Sequence, residues 1–534
     1  MIEIITVDGQ SLDLSPGCEF EIEMEQPMLS SDHVPVAFST SISFPPSKAN
    51  CLAFEYLPGL MVEPSKKEIA VSIVVDGIML MCGILCYDGE EDGELQYCFS
   101  GRDLEEEWKT KIWQAQFSGY TKTPNVTWPS FGTAWFNRLK KGDDPRIKLP
   151  NLINKSALGH ASESAYKTDF ALAHQNLGLE TVLTPVFMVN KILEKTFSAI
   201  TLDEEISDIY DTLCLIAQYK PDGIYGKSVG VPSDYDLQQC LPDITIYDLV
   251  INLSKILCLS LYREGTGSYK LLLNQTVLAD DTTLDWSSKV HDLYSASKES
   301  PQAYVFGYND KNEDNVFDPE TVAKESVPDV YSLPDVYTSF KKGSSTVRVL
   351  PLGDVYSGKS GDLYTDIVYH NNPPIDMSSE VDGDSYDAST DFCLVRCVVE
   401  NGVYDLGPGP SPVIDSPPLG EVRGKDVFVG LFDPEELFMA EQTGTASMSQ
   451  TEQPSLSLRT QSLYENYHEG FAKWLAKDRQ VVSCELNLSL MEIAEFRMYR
   501  KVAFKGRIWI VKKLSVVFHC SDNTIAATGE FISM

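Results

Sequence analysis

The chain is 534 residues long, 43% apolar, and carries a formal charge of −35 with a pI near 4.5. This length exceeds what one core holds and predicts roughly three or four domains with ample apolar material to fill them. The negative field repels phosphate and anionic lipid, which argues against nucleic acid or a membrane surface as partner.

The opening MIEIITVDGQ has no basic stretch followed by an apolar core, so no signal peptide is expected. Residues 1–110 read as an N-terminal β domain. EFEIEM alternates at strand period, and ELQYCFSG does so again. Between them, Ile69 to Tyr87 is the most apolar stretch. Asp76-Gly77 interrupts it with the strongest short hairpin signal, so IAVSIVV and IMLMCGILC are predicted as paired strands and not as a membrane span.

Residues 111–185 are rich in Trp, Pro, Asn and Gly without periodicity, and are expected to be an irregular excursion. Residues 186–299 read as an α+β domain. Pro185 is expected to open a helix with Val189, Ile192, Leu193 and Thr196/Phe197 on one side. A second helix follows LPDIT. Thr245 and Asp248 form a capping-box pattern, and Ile246, Leu249, Val250, Leu253, Ile256 and Leu257 make one apolar stripe. SYKLLLN is then a strand after a turn at Gly265 and Gly267.

Residues 300–450 form an acidic, loop-rich β region, with strands such as STVRVLPL and DFCLVRCVVE between long loops. Residues 451–534 predict a helix with Leu463, Tyr467, Phe471, Trp474 and Leu475 on one face. Strands follow. In Val482 to Ser489, Val482, Cys484, Leu486 and Leu488 point inward while Ser483, Glu485 and Asn487 point outward. RIWIVKKLSVVFHC and IAATGEFIS are further strands, expected to bury an apolar face against the helix. The charge is uneven along this order: 17 acids against 3 bases over 1–100, 26 against 9 over 301–450, and 9 against 11 over 451–534. The fold class is therefore α+β, predominantly β, multidomain, with β-barrel-like domains and a few packed helices.

Several segments imitate chemical motifs. GDVYSGKS, Gly353 to Ser360, fits the P-loop spacing, but Gly361-Asp362 and a β-branched run follow it where a phosphate site needs a helix. It reads as a Gly-rich loop between strands. GKSVG, Gly226 to Gly230, fits a nucleophile elbow, but Pro232 blocks the helix that must follow. DKNEDNVFDPET, Asp310 to Thr321, places Asp310, Asn312 and Asp314 at calcium-loop spacing. It has Asn315 where the turn Gly belongs and lacks the final Glu, so a solvated turn is favoured over a weak calcium site. Cys82/Cys86 and Cys393/Cys397 lie four apart, too far for zinc-type turns. They and the other cysteines, twelve in all, are expected as free thiols of a reducing cytosol. No catalytic, cofactor-binding or metal residue is assigned, and no cofactor is expected. Two alternatives remain. Trp108, Trp113, Trp128 and Trp135 could stack on sugars as a carbohydrate- or surface-binding module, with Trp128 and Trp135 the test positions. A hydrolase site could lie in the acidic middle region.

Five segments in this order resemble the tail and baseplate structural proteins of phages and prophages from Bacteroidetes bacteria. They are AFSTSISFPPSKANCLAFEY (Ala37 to Tyr56), VVDGIMLMCGIL, PVFMVNKILEKTF, LPDITIYDLVINLSKILCLSLY with TLDWSSKV, and LYENYHEGFAKWL through RQVVSCELNLSLMEIAEF to KVAFKGRIWIVKKLSV. Ser198-Ala199-Ile200 stands where that family's helix is usually followed by Gly-Tyr. The resemblance implies a hub-like baseplate component of the virion tail, made in the bacterial cytoplasm and without catalysis. Its partners would be itself, often as a homotrimer ring, and other tail proteins, with no nucleic acid and no membrane insertion.

Overall fold

The computed structural model describes residues 1–112, 186–216, 241–307, 375–394, 427–431 and 460–534, except 33, 36, 60–62, 102–108, 197–198, 266–267, 380, 382 and 522–523; it also describes the short segments 146–148, 153–154, 338–342, 345–349, 355–359, 365–369 and 413–414. Its main feature is a thirteen-stranded sheet built from both ends of the chain. The N-terminal region supplies β1 (Ile2–Thr6), β2 (Ser11–Leu12), β3 (Glu19–Glu25), β4 (Phe38–Phe44), β5 (Glu68–Val75), β6 (Ile78–Glu91) and β7 (Glu94–Ser100). The middle gives β8 (Thr283–Asp285) and β9 (Val290–Glu299). The C-terminal region gives β10 (Arg479–Leu486), β11 (Lys501–Phe504), β12 (Arg507–His519) and β13 (Thr524–Ser533).

The strands run in the order β9-β10-β13-β12-β3-β4-β7-β6-β5-β1-β2, with β11 paired to β12 and β8 to β11. β3 and β12 join the two chain ends, from Lys513 opposite Glu25 to His519 opposite Glu19. Phe20 and Phe518 are direct partners in that register, and their rings stack at 4.8 Å. The sheet thus crosses the divisions at 110 and 451 drawn along the chain. Where barrel-like closure was expected, the path among the described residues ends at β2 and β9.

The hairpin expected at Asp76-Gly77 is present. Val75 pairs with Ile78, and both turn residues have positive φ, 49° and 80°, as the tight turn matching strand twist requires. Asp92-Gly93 and Lys505-Gly506 make the same turn in β6-β7 and β11-β12. Gly83 on β6 lets β7 close in: a Cβ there would sit 2.1 Å from Ser100 O and 2.7 Å from the Phe99 ring.

One core lies on one face of this sheet. Ile4, Phe20, Ile22, Phe44, Ile73 and Phe99 from the N-terminal strands meet Val502, Val511, Leu514, Val516, Phe518 and Phe531 from the C-terminal ones. A second core takes Val189, Ile192 and Leu193 from helix α1 (Val189–Thr196) and surrounds helix α2 (Ile246–Leu257), whose six stripe residues are all buried. Thr245 Oγ1 accepts from the Asp248 amide and Asp248 returns the bond to the Thr245 amide, so the expected capping box is formed. Leu463, Tyr467, Phe471, Trp474 and Leu475 of helix α3 (460–475) enter the same core. Val481, Ile510 and Ile532 reach it from the opposite face of the large sheet, so the C-terminal strands do pack an apolar face on that helix. Gln26 links the cores: its amide donates to Met498 O and Val511 O, and its carbonyl accepts from Tyr262 OH.

Three expectations are corrected. The helix placed after Pro185 starts at Val189, because Val186–Met188 pairs as a strand with Leu213–Ile216. The strand expected to run to Ser489 ends at Leu486. Ser489 instead caps a helix at Leu490–Glu495 through a capping box with Glu492, which takes Leu488 out of the ladder. Val355–Lys359, inside GDVYSGKS, is itself a strand between Ser345–Val349 and Thr365–Tyr369, not a loop. Among the described residues no helix is long and apolar enough to cross a membrane.

Candidate functional site

Of the motifs named from the sequence, the described residues include Val355–Lys359 of GDVYSGKS and the cysteines Cys82, Cys86 and Cys393. The strand through GDVYSGKS leaves no helix N-terminus at Val355–Lys359 to receive phosphate. Gly226 to Gly230, Asp310 to Thr321, Cys397, and Trp108, Trp113, Trp128 and Trp135 lie outside the described residues. Cys82 and Cys86 are half-buried on β6, with Cys82 Sγ 3.3 Å from Ser72 Oγ. No group of three metal-ligating side chains occurs among the described residues.

The sequence reading missed one cluster with chemical groups, at the end of α2. His468 is fully buried, with Nε2 2.9 Å from Ile256 O and Nδ1 2.7 Å from Tyr304 OH. A carbonyl can only accept, so Nε2 carries the proton and Nδ1 accepts from the tyrosine. Ile256 is in the last turn of α2, where carbonyls lack helical partners, so the imidazole satisfies a helix end. Phe306 stacks on the ring at 3.9 Å. A one-turn π segment, Tyr464–His468, delivers the side chain to this point. Cys258 Sγ lies 3.7 Å from Tyr304 OH and accepts from Asn274 Nδ2, and Asn274 Oδ1 accepts from Ser260 Oγ. Cys258 ends α2 with a left-handed φ of 51°, a conformation usually left to glycine.

Such a Cys–Tyr–His chain resembles a nucleophile with its base, but its environment opposes that role. Burial lowers His468 to about 4 and raises the Cys258 thiol to about 12, so both stay neutral at pH 7. A neutral, sealed thiol is a poor nucleophile. The cluster is suited to tying α2, the strand Ala303–Phe306 and α3 together. The only sequence signal for it was a lone histidine beside the Tyr467/Phe471 stripe.

The surface features lie on the half of the large sheet nearest β9. Where α3 stops covering the outer face, an open trough of about 870 Å³ crosses β3, β12, β13, β10 and β9. Glu21, Glu23, Asp292, Glu485 and Glu530 line it, with His291 and Lys513 among them. Lys513 pairs with Glu23 at 2.5 Å, and a bulge at Lys512 turns that lysine toward Glu530 (3.1 Å) and Glu299 (3.6 Å). The trough is therefore a solvated, partly neutralised acidic face.

The two edges of the sheet differ. β2 is two residues long, and the helix Lys48–Ala53 sits against it. Buried Asn50 there exchanges bonds with the Asp13 amide and carbonyl. β9 is ten residues long and pairs only with β10 among the described residues. Tyr294 to Lys298 are exposed on both faces of the strand. A long uncovered edge offers a row of amides and carbonyls to another chain.

No protein-family model matches the chain, and no curated protein matches it. Among solved structures it is similar to the 43 kDa tail protein of prophage MuSo2 from Shewanella oneidensis and to the tail protein from Neisseria meningitidis MC58. Both are 9% identical with a TM-score of 0.32, covering 100% of this chain and 98% and 96% of theirs. At that TM-score the backbones differ too much for either to lend residue roles to this chain.

Proposed function

We propose that the chain is a structural component of a phage-type tail, hub-like in the baseplate, acting through protein–protein contacts with itself and with other tail proteins and without catalysis. The observation that carries this reading is the large sheet. It joins strands from both ends of the chain into one framework and, among the described residues, leaves β9 paired on one side only and an acidic face in solvent. Among the described residues, the buried His468–Tyr304–Cys258 cluster is suited to packing. Of the segments that resemble tail and baseplate proteins, most fall on or against this sheet, at β4, the β5-β6 hairpin, α2 with β8, and α3 with β10 to β12, while PVFMVNKILEKTF forms the strand Val186–Met188 and the helix Val189–Thr196. A ring of identical subunits would cover exposed edges while burying few charges.

Light scattering on the full chain at low and high salt tests this. A defined assembly is expected, and it should strengthen with salt, because screening weakens repulsion between copies that each carry −35. Turnover of a substrate by the purified chain, or a stoichiometric nucleotide held at GDVYSGKS, would overturn it.

A further inference from the structure

The junction of the two chain ends carries a cysteine on each strand. Cys18 precedes β3 and Cys520 follows β12, and the register that sets Glu19 opposite His519 sets these two opposite each other. The Cys520 amide donates to Cys18 O at 3.0 Å, so the ladder includes them. Residues opposed in this way share a face, and a hydrogen-bonded pair holds its Cα atoms about 5.5 Å apart. Disulfides span roughly 4.4–6.8 Å between Cα atoms. The two side chains stand two residues on from the Phe20–Phe518 stack, at the margin of the sheet core, with their thiols within hydrogen-bonding reach of each other. The Cys18 amide turns away from the ladder to Ser15 O, so this end can adjust as the sulfurs close.

We propose that Cys18 and Cys520 are a redox-formed disulfide site, a covalent staple that fastens the two ends of the chain across β3 and β12 once the protein leaves a reducing compartment. This goes beyond the assembly reading and stands whether or not that reading holds. The step is thiol–disulfide exchange with a small-molecule disulfide. The Cys18 thiolate attacks one sulfur of that molecule and expels its first half. Cys520 then attacks Cys18 Sγ and expels the second half. The protons of both cysteines pass through solvent to the two departing thiolates. Two protein thiols are oxidised, and one small disulfide is reduced to two thiols. Cys18 suits the attacking role: the hydrogen bond from the Cys520 thiol holds it below the usual thiol range, against the effect of burial. Pro16 and Gly17 beside it are exposed, so the site borders solvent. Cys86 and Cys98 also face one another, on β6 and β7, but burial and Asp88 raise the Cys98 thiol to about 11 and leave it little thiolate. The staple would close a loop of about five hundred residues, and cross-links across long loops restrict the unfolded chain most.

The full chain, purified reduced and then equilibrated with oxidised glutathione, tests this. After the remaining thiols are alkylated, digestion without reductant is expected to give a peptide pair joined through Cys18 and Cys520, detected by mass spectrometry and lost when dithiothreitol is added. The urea midpoint should rise on oxidation and fall back on reduction. C520S, a change at the more exposed of the two positions, should abolish that rise. The proposal is overturned if both cysteines are found alkylated after oxidation, or if either is joined to another cysteine or to a second chain. A midpoint that does not rise, or a rise that persists in C520S, overturns it as well. The peptide mapping needs no variant, so it decides the matter even where C520S does not fold.

Discussion

The two cores of this protein solve the same burial problem with different materials. The sheet core is dominated by apolar and aromatic side chains, with Phe20 on Phe518, Phe54 on Tyr97 and Phe504 on Trp509 among its ring contacts. Its buried Asn50 sits at the short β2 edge, bonded to the Asp13 and Pro45 carbonyls. The core around α2 buries polar groups beside its apolar ones: His468, Asn252, Asn274 and Asp203 are all nearly inaccessible. The difference follows from backbone geometry. Strands in a sheet satisfy each other's amides and carbonyls, so their inner face can be purely apolar. Helix ends and strand ends leave such groups unpaired, and burying them requires side-chain partners. Asn252 takes Thr390 Oγ1 and the Asp391 amide, Asp203 takes the Leu273 and Glu205 amides, and His468 takes Ile256 O. The α2 core thus depends on a few polar side chains, the sheet core on area.

The comparison can be broken first where the two chain ends meet. Phe518→Ala removes a fully buried ring and its stack on Phe20, and should cost ~3–5 kcal/mol in urea unfolding. A loss under ~1 kcal/mol would mean that β3 and β12 do not share one core.

Acid should act on the α2 core through His468. Its folded value, about 4, lies below the unfolded 6.5, so the unfolded chain binds the extra proton between those values. The stabilisation is complete above pH 6.5 and is lost as pH falls toward 4, at ~1.4 kcal/mol per unit and about 3 kcal/mol in all. Carboxylates titrate in the lower part of that window, so the measured quantity is the difference in slope between wild type and His468→Leu. The same slope in both would remove His468 from the account.

At neutral pH, His468→Leu leaves Ile256 O and Tyr304 OH without this partner, and a loss of ~2–3 kcal/mol is expected in thermal or urea unfolding. Thr245→Ala removes one half of the α2 capping box and should cost ~1 kcal/mol. The smallest effect belongs to the trough. Lys513→Ala removes a part-exposed ion pair with Glu23 and should change stability by less than ~1 kcal/mol, vanishing at high salt. A larger, salt-independent loss would show that the trough is structural and not simply a solvated face.

Strands and helices whose pattern is local were legible in the sequence. Asp76-Gly77, the α2 stripe with its Thr245/Asp248 cap, and the alternation of Val482, Cys484 and Leu486 stand as read. The helix start near Pro185 was misread because Val186–Met188 is short and takes its strand form from pairing with Leu213–Ile216. Leu488 was misread because Ser489 and Glu492, a capping box, were counted into a strand. The His468 cluster was not legible, since its members, Ile256, Cys258, Asn274, Tyr304 and His468, are spread over more than two hundred residues of chain.

By itself the sequence determined several of the strands, the Asp76-Gly77 hairpin, the apolar stripes of α2 and α3, and the acidic field that any partner must meet. These depend on neighbours within a few residues, where side-chain period and turn stereochemistry act directly. Only the tertiary structure decided that β3 pairs with β12, that the described strands of the sheet end in one short edge and one long one, and that a histidine closes a helix end. Those outcomes are set by which distant strands bury the most apolar area together and by which backbone groups that burial leaves unpaired, quantities that no local window contains.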